Sequence, residues 1–159
     1  MNIKFDGKKE AERQAVFLEE TERVLGKSLI IFQCDGRNEE STYVRLKREM
    51  GERLGVIVTV DYRSSIVDLR EGIAEANEDE TVDGILVQLP ILDRGSLIVD
   101  RKEVEEVLGM IKSSKDVDGL NPKSKFLPAA VRAVERVMDI FKIEDDQKIA
   151  LVGSKGMVS

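Results

Sequence analysis

Short apolar runs alternate with amphipathic segments along most of the chain, and that alternation sets the architecture to expect. A first helical pattern covers residues 8–25, with Ala11, Ala15, Leu18 and Leu25 as its seam, and a strand-like run covers residues 28–34. A second helical pattern spans 39–54, followed by a strand at 55–60, a helix at 66–77, a strand at 84–89 and a helix at 101–111. Residues 113–126 are rich in turn formers, including Asp118-Gly119 and Asn121-Pro122, and read as a loop. A last amphipathic helix covers 129–141 with a seam of Ala130, Val134, Val137, Met138 and Phe141, and residues 148–152 form a further strand that leads into a glycine-containing loop. Helices alternating with short apolar strands are the signature of βαβ units and a mainly parallel sheet, so the α/β class is predicted.

Within the second helical pattern, one residue breaks the amphipathic rule. At about 100° per residue, Tyr43, Val44, Leu46, Met50 and Leu54 fall within an arc of roughly 160°. Lys47 falls inside that arc, whereas Arg45, Arg48, Glu49, Glu52 and Arg53 project outside it. A lysine so placed either lays its stem along apolar surface with the ammonium in water, or sits partly desolvated in a cleft as an acid-base group. Tyr43, one turn earlier, offers a flat ring beside it against which a planar substrate can stack.

Composition narrows the chemistry. The 159 residues carry a formal net charge of −6, which argues against nucleic acid as the main partner. No apolar run reaches the roughly 20 residues needed to span a bilayer, and the start of the chain lacks a signal-peptide pattern, so a cytoplasmic location without membrane attachment is expected. Cys34 is the only cysteine and histidine is absent. An internal disulfide, a cysteine-cluster metal site and Ser-His-Asp or Cys-His machinery within the chain are thereby excluded, and no metal site is expected. Cys34 reads as a structural thiol, and acid-base work falls to Lys, Asp, Glu or Tyr.

Three further segments carry candidate chemistry. Val87-Gln88-Leu89-Pro90 puts an amide at the carboxyl end of a strand, the edge where open α/β sheets bind ligands, although a satisfied core glutamine before a turn would look the same. Lys115-Asp116-Val117-Asp118-Gly119 places two carboxylates in a loop, one residue apart and so facing different ways; alone it is also an ordinary Asp-Gly turn. Gly153-Ser154-Lys155-Gly156 follows a strand, as phosphate-binding loops do, but the helix that would confirm it is missing.

Tyr43-x-x-x-Lys47, Val87-Gln88-Leu89-Pro90, Lys115-Asp116-Val117-Asp118-Gly119 and a strand entering a glycine loop, in this order, resemble the bifunctional methylenetetrahydrofolate dehydrogenase/methenyltetrahydrofolate cyclohydrolase family. The resemblance implies a three-layer αβα folate-binding catalytic domain with a mainly parallel sheet over 1–126, a linking helix over 127–144, and at 145–159 the start of a truncated Rossmann-type nucleotide domain. It implies one-carbon folate chemistry: oxidation of 5,10-methylenetetrahydrofolate with NADP, then hydrolysis of the 5,10-methenyl product to 10-formyltetrahydrofolate. By resemblance Lys47 is the catalytic lysine, Gln88 the amide that holds it, Tyr43 the ring against the folate and Asp118 the carboxylate that reads the pterin. Pro90 lies with Gln88 in the substrate-binding segment, and Gly153, Ser154 and Lys155 fall to NADP. A homodimer is the implied assembly.

The chain also departs from the family pattern. Glu40 stands where a serine is usual, and Ile91-Leu92 replaces a second proline. Pro128-Ala129-Ala130-Val131 stands for a Pro-Cys-Thr-Pro segment, and the terminal loop lacks the usual arginine. Two readings of the function follow: the folate half of an enzyme site, or a non-catalytic folate-binding or dimerisation module.

Overall fold

The computed structural model describes residues 5–93 and 97–143. Its elements are α1 (Gly7–Thr21), β1 (Ser28–Gln33), α2 (Thr42–Arg53), β2 (Ile57–Tyr62), α3 (Ile66–Glu78), β3 (Gly84–Gln88), β4 (Leu92–Asp93), β5 (Leu97–Ile98), α4 (Arg101–Leu108) and α5 (Ala129–Phe141). Side-chain oxygens open four of the five helices: Asp6, Ser41, Ser65 and Asp100 accept first-turn N–H groups of α1 to α4, satisfying donors that have no partner within the helix.

The sheet has the order β2-β1-β3, all parallel, and a bridge between Ile85 and Asp116 extends it past β3. The chain thus leaves β1 towards β2 on one side and returns by α3 to β3 on the other. Because parallel crossovers keep one hand, helices entered in opposite directions lie on opposite faces. Burial agrees with this. Ile31 and Leu86 pack with Val44 of α2, whereas Phe32, Ile85 and Val87 pack with Leu69 and Ile73 of α3 and Val107 and Leu108 of α4. The result is the three-layer αβα arrangement expected from the sequence.

Polar side chains tie the helices at the sheet's periphery. Arg53 at the end of α2 pairs with Glu12 and Glu19 of α1 at 2.7 and 2.6 Å, and Arg136 of α5 pairs with Glu10 of α1 at 2.8 Å. Gly51 brings α2 close to β2, since a Cβ there would fall 2.6 Å from Val58 Cγ2.

Element identities match the sequence reading from α1 to α5 with shifts of a few residues, but one expectation needs correction. The segment after Pro90, for which no element was expected, holds β4 and β5 paired antiparallel, and two-residue strands are too short to leave a periodicity. The apolar arc assigned to the buried face of α2 is mostly solvent-facing, with Tyr43 71% exposed, Leu46 52% and Met50 39%. The packed stripe is instead Val44, Lys47, Arg48, Gly51 and Leu54, so Arg48, expected outside, belongs to it. The predicted strand at 148–152, with Gly153, Ser154 and Lys155, lies outside the described residues.

Candidate active site

Where the strand order reverses, between β1 and β3, the crossovers diverge and leave a crevice beyond the carboxyl ends of the strands. The two residues at that edge are register partners, Gln33 and Gln88. Side chains alternate along a strand, so Gln33 lies on the face of Leu29 and Ile31, and Gln88 on the face of Leu86. That is the face covered by α2. Lys47 is one turn beyond the buried Val44 on the packed stripe of the same helix, so Lys47 and Gln88 belong to the facing layers on one side of the sheet.

The hydrogen bonding of this cluster is incomplete. Gln88 donates Nε2 to the Leu89 carbonyl at 2.7 Å, while its Oε1 is buried without a partner among the described residues. A buried amide oxygen left unpaired forfeits about 1–3 kcal/mol, so the site is suited to a donor that it does not hold in this state. Lys47 is half-buried, and the ion pairs of α2 run through Arg45, Arg48 and Arg53 without it. The bond between Lys47 and Gln88 that the resemblance implies is not formed. Glu40, the residue in place of the family's serine, is engaged by Arg48 at both carboxylate oxygens, which holds its carboxyl below the usual range.

The acidic segment separates into a structural and a free carboxylate. Asp116 is buried and accepts N–H groups of Gly119 at 3.1 Å and Asn121 at 2.9 Å, while Lys115 donates to the carbonyls of Ala76 and Asp79 at the end of α3. Asp118 is half-buried and makes no hydrogen bond among the described residues. Asp118 follows the isolated Ile85–Asp116 bridge by two residues, in the bend that leads to Gly119. Gly119 makes the turn possible: its φ is +69°, and a Cβ would lie 2.6 Å from the Phe126 carbonyl oxygen. Pro90 follows the edge through a cis Leu89–Pro90 bond and is exposed.

Cys34 takes no part in chemistry at this edge. Burial, with Asp93 and Asp35 nearby, pushes its thiol up to about 11, in keeping with a structural thiol. Sequence reasoning missed Gln33, whose amide organises the loop before α2; its signal was a lone amide closing the apolar run Leu29-Ile30-Ile31-Phe32. A cavity of about 780 Å³ lies elsewhere, between α1 and α5, and includes none of Tyr43, Lys47, Gln88 or Asp118. The Lys47 edge is an open wall rather than a closed pocket, with the Tyr43 ring standing in solvent.

A parallel sheet covered by helices on both faces, with Gln33 and Gln88 closing neighbouring strands at its switch point, is of the doubly wound α/β class. A family profile described as "Tetrahydrofolate dehydrogenase/cyclohydrolase, catalytic domain" matches residues 4–118, and the chain belongs to this family. The bifunctional protein FolD of Staphylococcus saprophyticus is 30% identical over 137 residues, covering 79% of this chain and 45% of that protein. FolD of Helicobacter pylori strain J99 is 32% identical over 130 residues, covering 74% of this chain and 42% of its own. Among solved structures, a 5,10-methylenetetrahydrofolate dehydrogenase from the silkworm Bombyx mori superposes with a TM-score of 0.75 at 27% identity, over 90% of this chain and 52% of that one. The chain thus spans about half the length of these relatives.

Proposed function

We propose that this domain carries the folate half of a methylenetetrahydrofolate dehydrogenase/methenyltetrahydrofolate cyclohydrolase site. The observation that carries the reading is the buried, unpartnered Oε1 of Gln88 on the sheet face covered by the Lys47 helix, at the crevice edge. In this reading Gln88 accepts a hydrogen bond from the Lys47 amine when substrate closes the open wall. Tyr43 stacks on the planar part of the folate, which accounts for a ring left in solvent. Asp118 accepts the adjacent N–H donors of the 2-amino-4-oxo pyrimidine ring, a pairing that a free carboxylate suits. Pro90 shapes the strand exit beside them.

For the hydrolysis of the methenyl compound, Lys47 serves as base towards the attacking water with Gln88 fixing its direction. The oxidation of the methylene compound is assigned to NADP, bound by the nucleotide domain for which Gly153, Ser154 and Lys155 are the candidate first contacts. No described residue is given a part in that hydride transfer. The division into a catalytic domain at 1–126, a linking helix at 127–144 and a nucleotide-domain start at 145–159, a cytoplasmic location and a homodimeric assembly belong to the same proposal. Among the described residues no helix is long and apolar enough to cross a membrane.

The test is the decay of the methenyl chromophore with the unsubstituted chain and with Lys47→Met. Removing a general base is expected to slow turnover by about 10² to 10⁴. Equal rates, with a folate analogue still binding in calorimetry, would establish the non-catalytic binding module instead.

A further inference from the structure

We infer that Gln33 is a positioning residue for the Lys47 and Tyr43 helix, acting through the loop that precedes it. The inference rests on the folate-site reading above. Gln33 is only 1% exposed, at the carboxyl end of β1 and in register with Gln88. Its amide is used in both senses. Nε2 donates to Asp35 Oδ1 at 3.0 Å and to the Glu39 carbonyl at 2.9 Å, and Oε1 accepts the Ser41 N–H at 2.9 Å. Ser41 in turn is the N-cap of α2, its Oγ accepting the Val44 N–H at 3.3 Å.

Two of the three hydrogen bonds of this one buried amide therefore grip the backbone on both sides of residue 40, immediately before a helix whose second residue is Tyr43 and whose sixth is Lys47. The start of the loop is gripped as well. Burial works against the Asp35 charge, but the Arg37 guanidinium, the Arg37 backbone N–H and the Gln33 amide together hold its carboxyl below the ordinary range. The loop thus leaves β1 and enters α2 around a fixed neutral centre.

A position of this kind demands an amide. A carboxylate would lack both donors, and an apolar side chain would strand the Glu39 carbonyl and the Ser41 N–H. The other anchors of the helix lie further along it, at Gly51 against Val58 and Arg53 against Glu12 and Glu19, and the fully buried cluster beneath it is small, with Ile31, Val44 and Leu86. With so thin an apolar contact, the axial setting of α2 against β3, and so the approach of Lys47 to Gln88, depends on this polar anchor. Gln33 touches neither substrate nor reacting atoms and acts only through where it puts the lysine.

The test compares Gln33→Met, Lys47→Met and the double variant with Ile73→Val, a control in the core on the opposite face. Turnover of the methenyl substrate is read with exchange of the Val44 and Arg45 amides. Gln33→Met is expected to lower kcat about 10- to 100-fold, as a small misplacement of a reacting group does. KM should change far less, exchange at Val44 and Arg45 should accelerate, and the double variant should turn over no more slowly than Lys47→Met alone. Gln33→Asn, which keeps an amide but shortens its reach by one methylene, should fall between and carries the test if Gln33→Met does not fold. A Gln33→Met rate no lower than that of Ile73→Val, or losses that multiply with Lys47→Met, would overturn the inference while the proposed function stood. Equal rates for Lys47→Met and the unsubstituted chain would instead overturn the function and the catalytic part of the inference. Unchanged protection of Val44 and Arg45 would then remove the anchoring role too.

Discussion

The two faces of the sheet are built for different ends. On the α3/α4 face, fifteen buried residues form one cluster, from Phe32 and Ile85 through Leu69 and Ile73 to Val107 and Ile111. On the α2 face the buried cluster is Ile31, Val44 and Leu86, and towards the carboxyl edge the same strands present Gln33 and Gln88 where the other face presents Val87 and Cys34. Apolar area removed from water stabilises at roughly 25 cal/mol per Å², so the thick face holds the fold. The thin face gives up part of that stabilisation and gains room for polar groups that meet a ligand.

A substitution that separates stability from binding would sharpen this contrast most. Ile73→Ala empties a fully buried position of the thick face and should reduce unfolding free energy by about 2–5 kcal/mol in urea titration. Affinity for a folate analogue, measured well below the unfolding midpoint, should stay within about twofold, since distant sites combine nearly additively. A large loss of affinity in a fully folded Ile73→Ala sample would erase the distinction between the faces.

The two aspartates of one loop repeat the contrast on a smaller scale. Asp118→Asn should weaken binding of a folate analogue by about 1.5–3 kcal/mol in calorimetry with little change in melting, because a charge-assisted hydrogen bond is lost from a side chain that supports nothing else. Asp116→Asn should do the reverse, lowering stability by about 1–3 kcal/mol, because one of the two N–H groups it accepts would face an amide donor. An exchange of these outcomes would mean that the pterin-reading role belongs to Asp116.

The smallest effect concerns acid. Glu10, bonded by Arg136 and then Gln14 and Arg13, has its carboxyl lowered from an ordinary value of 4.5 to about 2. A depressed carboxylate stabilises the fold above its unfolded value and loses that contribution as pH falls towards the folded one. The α1–α5 contact should therefore weaken between about pH 4.5 and 2, visible as faster amide exchange in α5 ahead of the β1–β3 core. Glu10→Gln should flatten that dependence. Equal acid sensitivity in the variant would assign the loosening to other carboxylates.

The alternation of apolar runs was enough to place every helix and the three main strands, because burial period and chain direction are local properties that side-chain sequence carries directly. The family motifs likewise marked Tyr43, Lys47, Gln88 and Asp118 before any packing was known. The side of α2 that meets the sheet was not legible. Tyr43, Leu46 and Met50 make a plausible apolar face, yet Val44, Lys47 and Gly51 are the residues that pack, because Gly51 permits close approach to Val58 and the exposed stripe is turned outwards. The β4–β5 pair escaped notice because its strands are only two residues long.

What sequence alone determined, then, was the order and kind of the elements and the residue types that could do the chemistry, since both are written in neighbouring positions. Tertiary structure decided which aspartate is bound and which is free, that Gln88 keeps an unsatisfied oxygen, and that Gln33 ties the end of β1 to the start of α2. Those outcomes depend on hydrogen bonds whose partners are brought within reach only when the strands are in register and the loops have closed.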